Sequence, residues 1–256
     1  MRHTLLLFSP TGGVRRAAEC LMKALCGEFE TLDLSLTLNG QKKAVFAPED
    51  ICVIAVPSYG GRVPAVALKR LLETQGGGAK TILMSVYGNR SDDDTLFELR
   101  DEAVTAGYRP VAAVRAIAEH SLVRSVAAGR PDEEDQKKLC AFAQTLKEYL
   151  AGDDLSPVDL PEKKNFRLFG GVPFHPKAGD ACMGCGKCAD VCPVGAISRS
   201  DPKKTETGAC ITCMRCVEIC PQHARSVNPM MLAVTAGKLK KSCAERKEPE
   251  LILGRA

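Results

Sequence analysis

Eight of the thirteen cysteines in this 256-residue chain fall in two runs of identical spacing. The first places Cys182, Cys185, Cys188 and Cys192 ahead of Pro193, and the second places Cys210, Cys213, Cys216 and Cys220 ahead of Pro221. Each reads C-x2-C-x2-C-x3-C-P. Thiolates are soft ligands, suited to iron–sulfur clusters and to zinc. Three of them at intervals of three can sit on one tight loop and wrap one face of a cubane. The fourth starts the next turn and points away. The proline that follows has no N–H and a fixed φ, which suits a chain turning away from a cluster. Structural zinc usually brings paired C-x2-C knuckles, without a triplet followed by C-x3-C-P. Disulfides need an oxidising compartment, and the apolar stretch at 5–8 is too short for an export signal. The spacing therefore predicts two [4Fe–4S] clusters in a protein of the reducing cytoplasm.

The runs resemble those of bacterial two-cluster ferredoxins. That resemblance implies crossed ligation, with the fourth cysteine of each run serving the other cluster. It assigns Cys182, Cys185, Cys188 and Cys220 to one cluster and Cys210, Cys213, Cys216 and Cys192 to the second. Cys182 aligns with Cys210 and Pro193 with Pro221, so residues 181–226 form an internal repeat of period 28 (210 − 182). So small a unit has little core, and the clusters must organise its folding. The other cysteines (Cys20, Cys26, Cys52, Cys140 and Cys243) have no ligand spacing. The first four sit among apolar neighbours and read as buried small hydrophobes.

The rest of the chain must position these groups. An apolar fraction of 45% supports a real core, and no apolar run is long enough to span a membrane. A net charge of +4 and an aromatic content of 5% give no basic, aromatic-studded stripe for nucleic acid. Residues 1–151 alternate strand and helix patterns. Strands are expected at 2–8, 29–34, 51–57, 80–86 and 109–117, and helices at 14–26, 64–74, 91–106 and 131–150. Ser91 with Asp92 to Asp94, and Pro131 with the acids after it, read as helix starts. Five strands alternating with helices predict a doubly wound α/β fold. Residues 152–180, rich in proline and glycine, read as a surface linker whose 172–174 stretch packs on the protein. Residues 227–256 read as a solvated basic tail with a helix near 230–241.

In such sheets ligands bind beyond the carboxyl ends of the strands. Three loops there are informative. Ser9, Thr11, Gly12, Gly13 and Val14 follow the first strand, and a glycine turn opening a helix suits phosphate. Pro57, Ser58, Tyr59, Gly60 and Gly61 follow the third: Tyr59 could stack on a flat ring, and the glycines allow close approach. Tyr87, Gly88, Asn89 and Arg90 follow the fourth. His120 follows the fifth, where it could touch a ligand or solvent; a polar loop histidine without a role is the commoner case.

The first loop resembles the flavodoxin phosphate loop [S/T]-x-T-G-x-T, with Val14 where the pattern has threonine and Arg15 or Arg16 able to compensate. The second and third resemble the flavin-edge loops of flavodoxin-like proteins. G-x-G-x-x-G is missing after the first strand, which disfavours a nicotinamide cofactor. The chain as a whole resembles fused proteins of anaerobic bacteria, with an N-terminal flavodoxin-like domain and a C-terminal two-cluster ferredoxin domain. The resemblance implies an FMN-binding domain at 1–151 with a five-stranded parallel sheet of order 2-1-3-4-5, a linker at 152–180, a small α+β ferredoxin domain at 181–226 and a tail at 227–256. It implies electron transfer between FMN and two [4Fe–4S] clusters, with a ferredoxin or flavoenzyme as redox partner. The alternatives are a flavin-dependent reductase of a quinone or other small acceptor fed through the clusters, and an α/β module binding a non-flavin phosphate ligand. No Ser-His-Asp set or H-E-x-x-H is present to commit the chain to substrate chemistry.

Overall fold

A computed structural model describes residues 1–36, 44–152, 155–163 and 165–254. The first part runs β1 (His3–Leu7), α1 (Gly13–Cys26), β2 (Glu30–Asp33), β3 (Ile51–Pro57), α2 (Ala65–Leu71), β4 (Lys80–Tyr87), α3 (Thr95–Thr105), β5 (Arg109–Ile117) and α4 (Glu133–Leu150). Period-two alternation divides each strand between two cores. Leu5, Leu7, Val53, Ala55, Ile82 and Met84 face α1 and α4, where Ala17, Leu21, Leu139 and Leu146 meet them. Leu6, Phe8, Ile54, Val56 and Leu83 face α2 and α3, where Leu71, Leu96 and Leu99 meet them. β3 is buried along its whole length, the reason it reads as one continuous apolar run. Burying each such leucine contributes about 1.5–3 kcal/mol.

β1 to β5 are parallel in the order β2-β1-β3-β4-β5, the flavodoxin-like order expected. The start of α4 also follows the sequence: Asp132 and Asp135 accept each other's backbone N–H at 3.1 and 3.0 Å in a capping box. The start of α3 does not. The helix begins at Thr95 without a side-chain cap. Its expected capping acids serve other partners: Asp92 accepts from Ser85 at 2.8 Å and pairs with Arg115 at 3.1 Å, Asp93 pairs with Arg90 and Arg167, and Asp94 pairs with Lys163. Asp92 and Asp94 are buried, and a buried carboxylate is better served by a full charge than by a helix terminus. Cys52 is buried as expected and Cys20 and Cys26 are half-buried, but Cys140 lies exposed on α4.

The remainder comprises β6 (Lys177–Ala178), α5 (Lys187–Asp190), α6 (Arg215–Glu218), β7 (Arg225–Ser226), α7 (Pro229–Ser242) and β8 (Glu250–Leu253). β6 and β7 pair antiparallel. The expected solvated tail is corrected here. β8 returns to the main sheet and pairs antiparallel with β5, covering its edge. Its register sets Leu251 and Leu253 against one core and Ile252 against the other. The linker is likewise integrated. Leu155 and Val158 are buried with the sheet, and Val158 bridges to Gly254; positions 153, 154 and 164 of the expected linker and 255–256 of the expected tail lie outside the described residues. No described helix is long and apolar enough to cross a membrane.

The cysteine-bearing part packs on the carboxyl edge of the sheet. Leu122 and Val123 form an apolar cluster with Met214 and Val227, joined by Phe174, Leu232 and Leu239. Buried Arg70 of α2 donates to Leu34 O at 2.7 Å and across the junction to Pro193 O at 2.6 Å. Arg124 joins Glu119 to Glu218 of α6.

Candidate cofactor sites

The carboxyl ends of β1, β3, β4 and β5 open into one cavity of about 260 Å³. Ser9, Thr11, Gly13 and Val14 line it from the first loop, Pro57, Ser58, Tyr59, Gly60 and Gly61 from the second, and Tyr87, Gly88 and Arg90 from the third. Ala118 to Leu122, after β5, complete the sheet side.

The first loop is shaped for an anion. Gly12, just behind the cavity wall, takes a left-handed φ of 82° as the N-cap of α1. Ser9 Oγ accepts from Arg15 N at 3.0 Å, and Ser35 Oγ accepts from Ser9 N at 2.7 Å, so this serine fixes the loop. Among the described residues, the N–H groups of Thr11, Gly12, Gly13 and Val14 and the Thr11 hydroxyl meet no protein acceptor. Converging backbone donors at a helix N-terminus form a phosphate cradle. Arg15 is committed to Glu19 and Asp33, at 3.1 and 3.0 Å. Arg16 has Nη1 beside Gly12 and donates from Nη2 to Arg130 O at 3.1 Å, so of the two arginines it is the one at the loop. Val14 is buried in the core, which is why no hydroxyl stands there.

The second loop turns tightly. Tyr59 and Arg62 exchange backbone hydrogen bonds of 2.9 and 3.2 Å, with Gly60 and Gly61 at φ 59° and 86° between them. Both positive values are needed in such a turn. The close approach that these glycines allow is made by the protein itself. A Cβ on Gly60 would meet the Phe169 ring at 2.1 Å, and one on Gly61 would meet Asp93 and Arg167 at 2.5 and 2.7 Å. Burial first, and the Cys213 thiol second, raise the Tyr59 hydroxyl well above its ordinary pKa.

The third loop departs from expectation at Asn89, which does not line the cavity. Its buried amide is a hub. Nδ2 donates to Cys243 O and Glu245 O, both at 2.9 Å, and Oδ1 accepts from Arg130 Nη1 at 3.0 Å and Lys247 N at 2.9 Å. The asparagine pins the strand that returns as β8.

His120 does line the cavity. Its Nδ1 accepts from the N–H groups of Leu122 and Val123 at 3.2 and 3.1 Å, so the ring proton sits on Nε2. Burial lowers its pKa below the ordinary value and favours the neutral ring. Gly88 is required beneath it, because a Cβ there would meet the ring at 2.6 Å. The outer wall comes from residues far along the chain: Phe169 and Val172, Ile211 and Thr212 of the second cysteine run, and Thr235 and Leu239 of α7. No local pattern marked these six as cavity residues.

The eight cysteines line two hollows. Cys182, Cys185, Cys188 and Cys220 share one, and Cys192, Cys210, Cys213 and Cys216 share the other. The backbone repeats with the spacing. Gly184 and Thr212, Gly186 and Met214, and Gly195 and His223 all have positive φ. The N–H groups of Ala196 and Ala224 point at Cys192 and Cys220 sulfur, each at 3.3 Å. Residues 181–225 match the 4Fe-4S dicluster domain family. No curated protein matches the chain. Among solved structures, the Streptococcus pneumonia TIGR4 flavodoxin is similar at 16% identity, over 58% of this chain and 99% of its own, with a TM-score of 0.39. A flavodoxin from the domain Archaea is similar at 11% identity, over 58% of this chain and 97% of its own, with a TM-score of 0.40. The two-electron reduced flavodoxin of Megasphaera elsdenii is similar at 15% identity, over 56% of this chain and 98% of its own, with a TM-score of 0.32.

The hollows suit an anionic group held by thiolates. Each has an arginine nitrogen, buried and without a partner among the described residues, in a residue of its wall: Arg225 Nε at the first and Arg215 Nη1 at the second. A buried donor left unpaired costs about 1–3 kcal/mol, so these atoms call for an acceptor that those residues do not supply. The hollows differ in depth. At the first, Cys185 is exposed. At the second, burial pushes the Cys213 thiol up to about 12 and the Cys216 thiol to about 11.

Proposed function

We propose that this chain passes electrons between FMN, held in the sheet-edge cavity, and two [4Fe–4S] clusters. Cys182, Cys185, Cys188 and Cys220 would ligate one cluster, and Cys210, Cys213, Cys216 and Cys192 the other. When bound, clusters supply one-electron steps and a flavin can take or give one or two electrons. The observation that carries the reading is a shared wall: Ile211, between two of the cysteines, lines both the second hollow and the cavity.

The residues divide the work. Thr11 and the N–H groups of 11–14 bind the phosphate. Tyr59, Tyr87 and His120 bound the ring, and Phe169, Val172, Thr235 and Leu239 screen it from water. The second hollow faces this cavity. The first, with Cys185 exposed and Met183 67% exposed, faces solvent, where a ferredoxin or flavoenzyme partner would meet it. In this reading 181–226 is a dicluster unit and 1–151 a flavin unit, completed by 155–158 and β8.

The test is anaerobic purification with iron, sulfide and flavin counts, followed by rapid mixing with a one-electron donor. Flavin reduction in the intact chain should be independent of protein concentration and faster than in a dilute mixture of 1–151 and 178–256 fragments. Zinc without acid-labile sulfide, or a chain that takes up no FMN, would refute the proposal. Because the 1–151 fragment lacks β8, the same comparison is repeated in the full chain with Cys213→Ser, which should slow transfer to the flavin.

A further inference from the structure

The two cysteine runs repeat closely, but at one buried position a charged residue in one half stands against a hydrocarbon in the other. With the period of 28, Ala196 aligns with Ala224 and Ser198 with Ser226, but Ile197 aligns with Arg225. Both odd partners are buried, at 5% and 2% exposure. Ile197 lines the second hollow and Arg225 the first. Lys187 and Arg215, aligned by the repeat, place one cation in the wall of each hollow, and at 197/225 the first hollow gains a second positive charge where the second has a hydrocarbon.

That charge has no acidic partner among the described residues. Arg225 Nη1 donates to Thr205 Oγ1 at 3.0 Å and Pro176 O at 3.4 Å, and Nη2 donates to Pro202 O at 2.6 Å. Its Nε is buried and unbonded. The nearby acid Glu206 pairs with Lys204 at 3.0 Å instead. A buried cation surrounded only by carbonyl and hydroxyl oxygens is costly unless an anion shares its site. Arg225 lines the first hollow together with Cys182, Cys185, Cys188 and Cys220, and is not among the residues that line the second.

We propose that Arg225 is the built-in counter-cation of the dicluster unit, holding added electron density at the first hollow and making the two clusters unequal. The proposal rests on the two-cluster reading above. A cluster ligated by four thiolates is an anion, and reduction adds one more negative charge. A cation in the wall favours the reduced form, and low surrounding polarity strengthens the effect. The solvent-facing cluster therefore collects electrons from a partner and holds them before they move inward.

The test is an EPR-monitored redox titration of the iron-loaded full chain, comparing wild type with Arg225→Ile, Arg225→Gln and Arg225→Lys. Isoleucine is the repeat's own residue at this position. In R225I and R225Q the reduction equilibrium of one cluster should fall at least about tenfold, or about 59 mV for one electron. That cluster should be the one whose signal Cys182→Ser alters, and the other should move less. R225K, which keeps the charge, should stay close to wild type. If R225I fails to load iron, R225Q against R225K decides the matter. Equal potentials in loaded R225Q, R225K and wild type would overturn the proposal and leave the two-cluster reading standing. Wild-type protein without acid-labile sulfide would overturn both.

Discussion

Replacing Asn89 separates a structural role from a ligand role. Its amide makes four hydrogen bonds, two to the carbonyls of Cys243 and Glu245 and two from Arg130 and Lys247 N. Asn89→Ala removes all four. At about 1 kcal/mol net each, reduced because most are only partly buried, the loss is about 2–4 kcal/mol. Asn89 also sits at φ 60°, where alanine adds about 1–2 kcal/mol of strain. Asn89→Gly omits that strain and isolates the hydrogen bonds. Since about 1.4 kcal/mol is a tenfold change, local opening of 243–254 should rise about a hundredfold in the glycine variant and further in alanine. Hydrogen exchange read by mass spectrometry on peptides from 243–254 measures this directly. FMN affinity, followed by fluorescence quenching, should weaken less than exchange accelerates. If N89G loses FMN affinity while exchange at 243–254 is unchanged, Asn89 is a ligand residue and the hub reasoning is wrong.

Cys220→Ser should remove or alter the cluster of Cys182, Cys185 and Cys188, and Cys192→Ser that of Cys210, Cys213 and Cys216, each leaving about four of about eight irons undisturbed; iron and sulfide counts with EPR check the crossing. Thr11→Ala should weaken FMN about tenfold by deleting a hydroxyl donor to a charged phosphate, with iron content unchanged. His120 should titrate below the ordinary value near 6.5 and carry its proton on Nε2 when neutral, as read from 15N imidazole shifts. Because its folded pKa is depressed, the unfolded chain binds the proton first on acidification. The stabilisation is therefore present above about 6.5 and lost as pH falls toward the folded value, a slope that His120→Gln should flatten.

What the sequence disclosed was set by local geometry. A thiol triplet on one loop must space its cysteines by three, and a strand buried on both faces must be apolar throughout, as β3 is. The strand order of the main sheet and the crossed grouping of eight thiols into two hollows match what the family resemblance implies, and local spacing alone fixes neither. The outer wall of the cavity obeys no such rule. Phe169 seats on Gly60 from over a hundred positions along the chain (169 − 60). β8 has only four residues and follows a charged stretch, too little for period-two alternation to stand out.

Gly60 marks the boundary between these two kinds of information. Its positive φ belongs to the turn, and any sequence reading can require a glycine there. The same glycine also lets another group press on the backbone, and nothing nearby says whether that group is a cofactor ring or a side chain. Here it is Phe169, from the segment joining the sheet to the cysteine repeat. The joining segment thus forms part of the cavity, and the cavity takes its remaining wall from Ile211 and Thr212 of the second run. A sheet domain and a cysteine-repeat domain that each stood alone would leave that edge uncovered. Joined in this way, the edge gains a partial outer wall and shares Ile211 with the second hollow, so under the proposed function electrons would reach the flavin from that side.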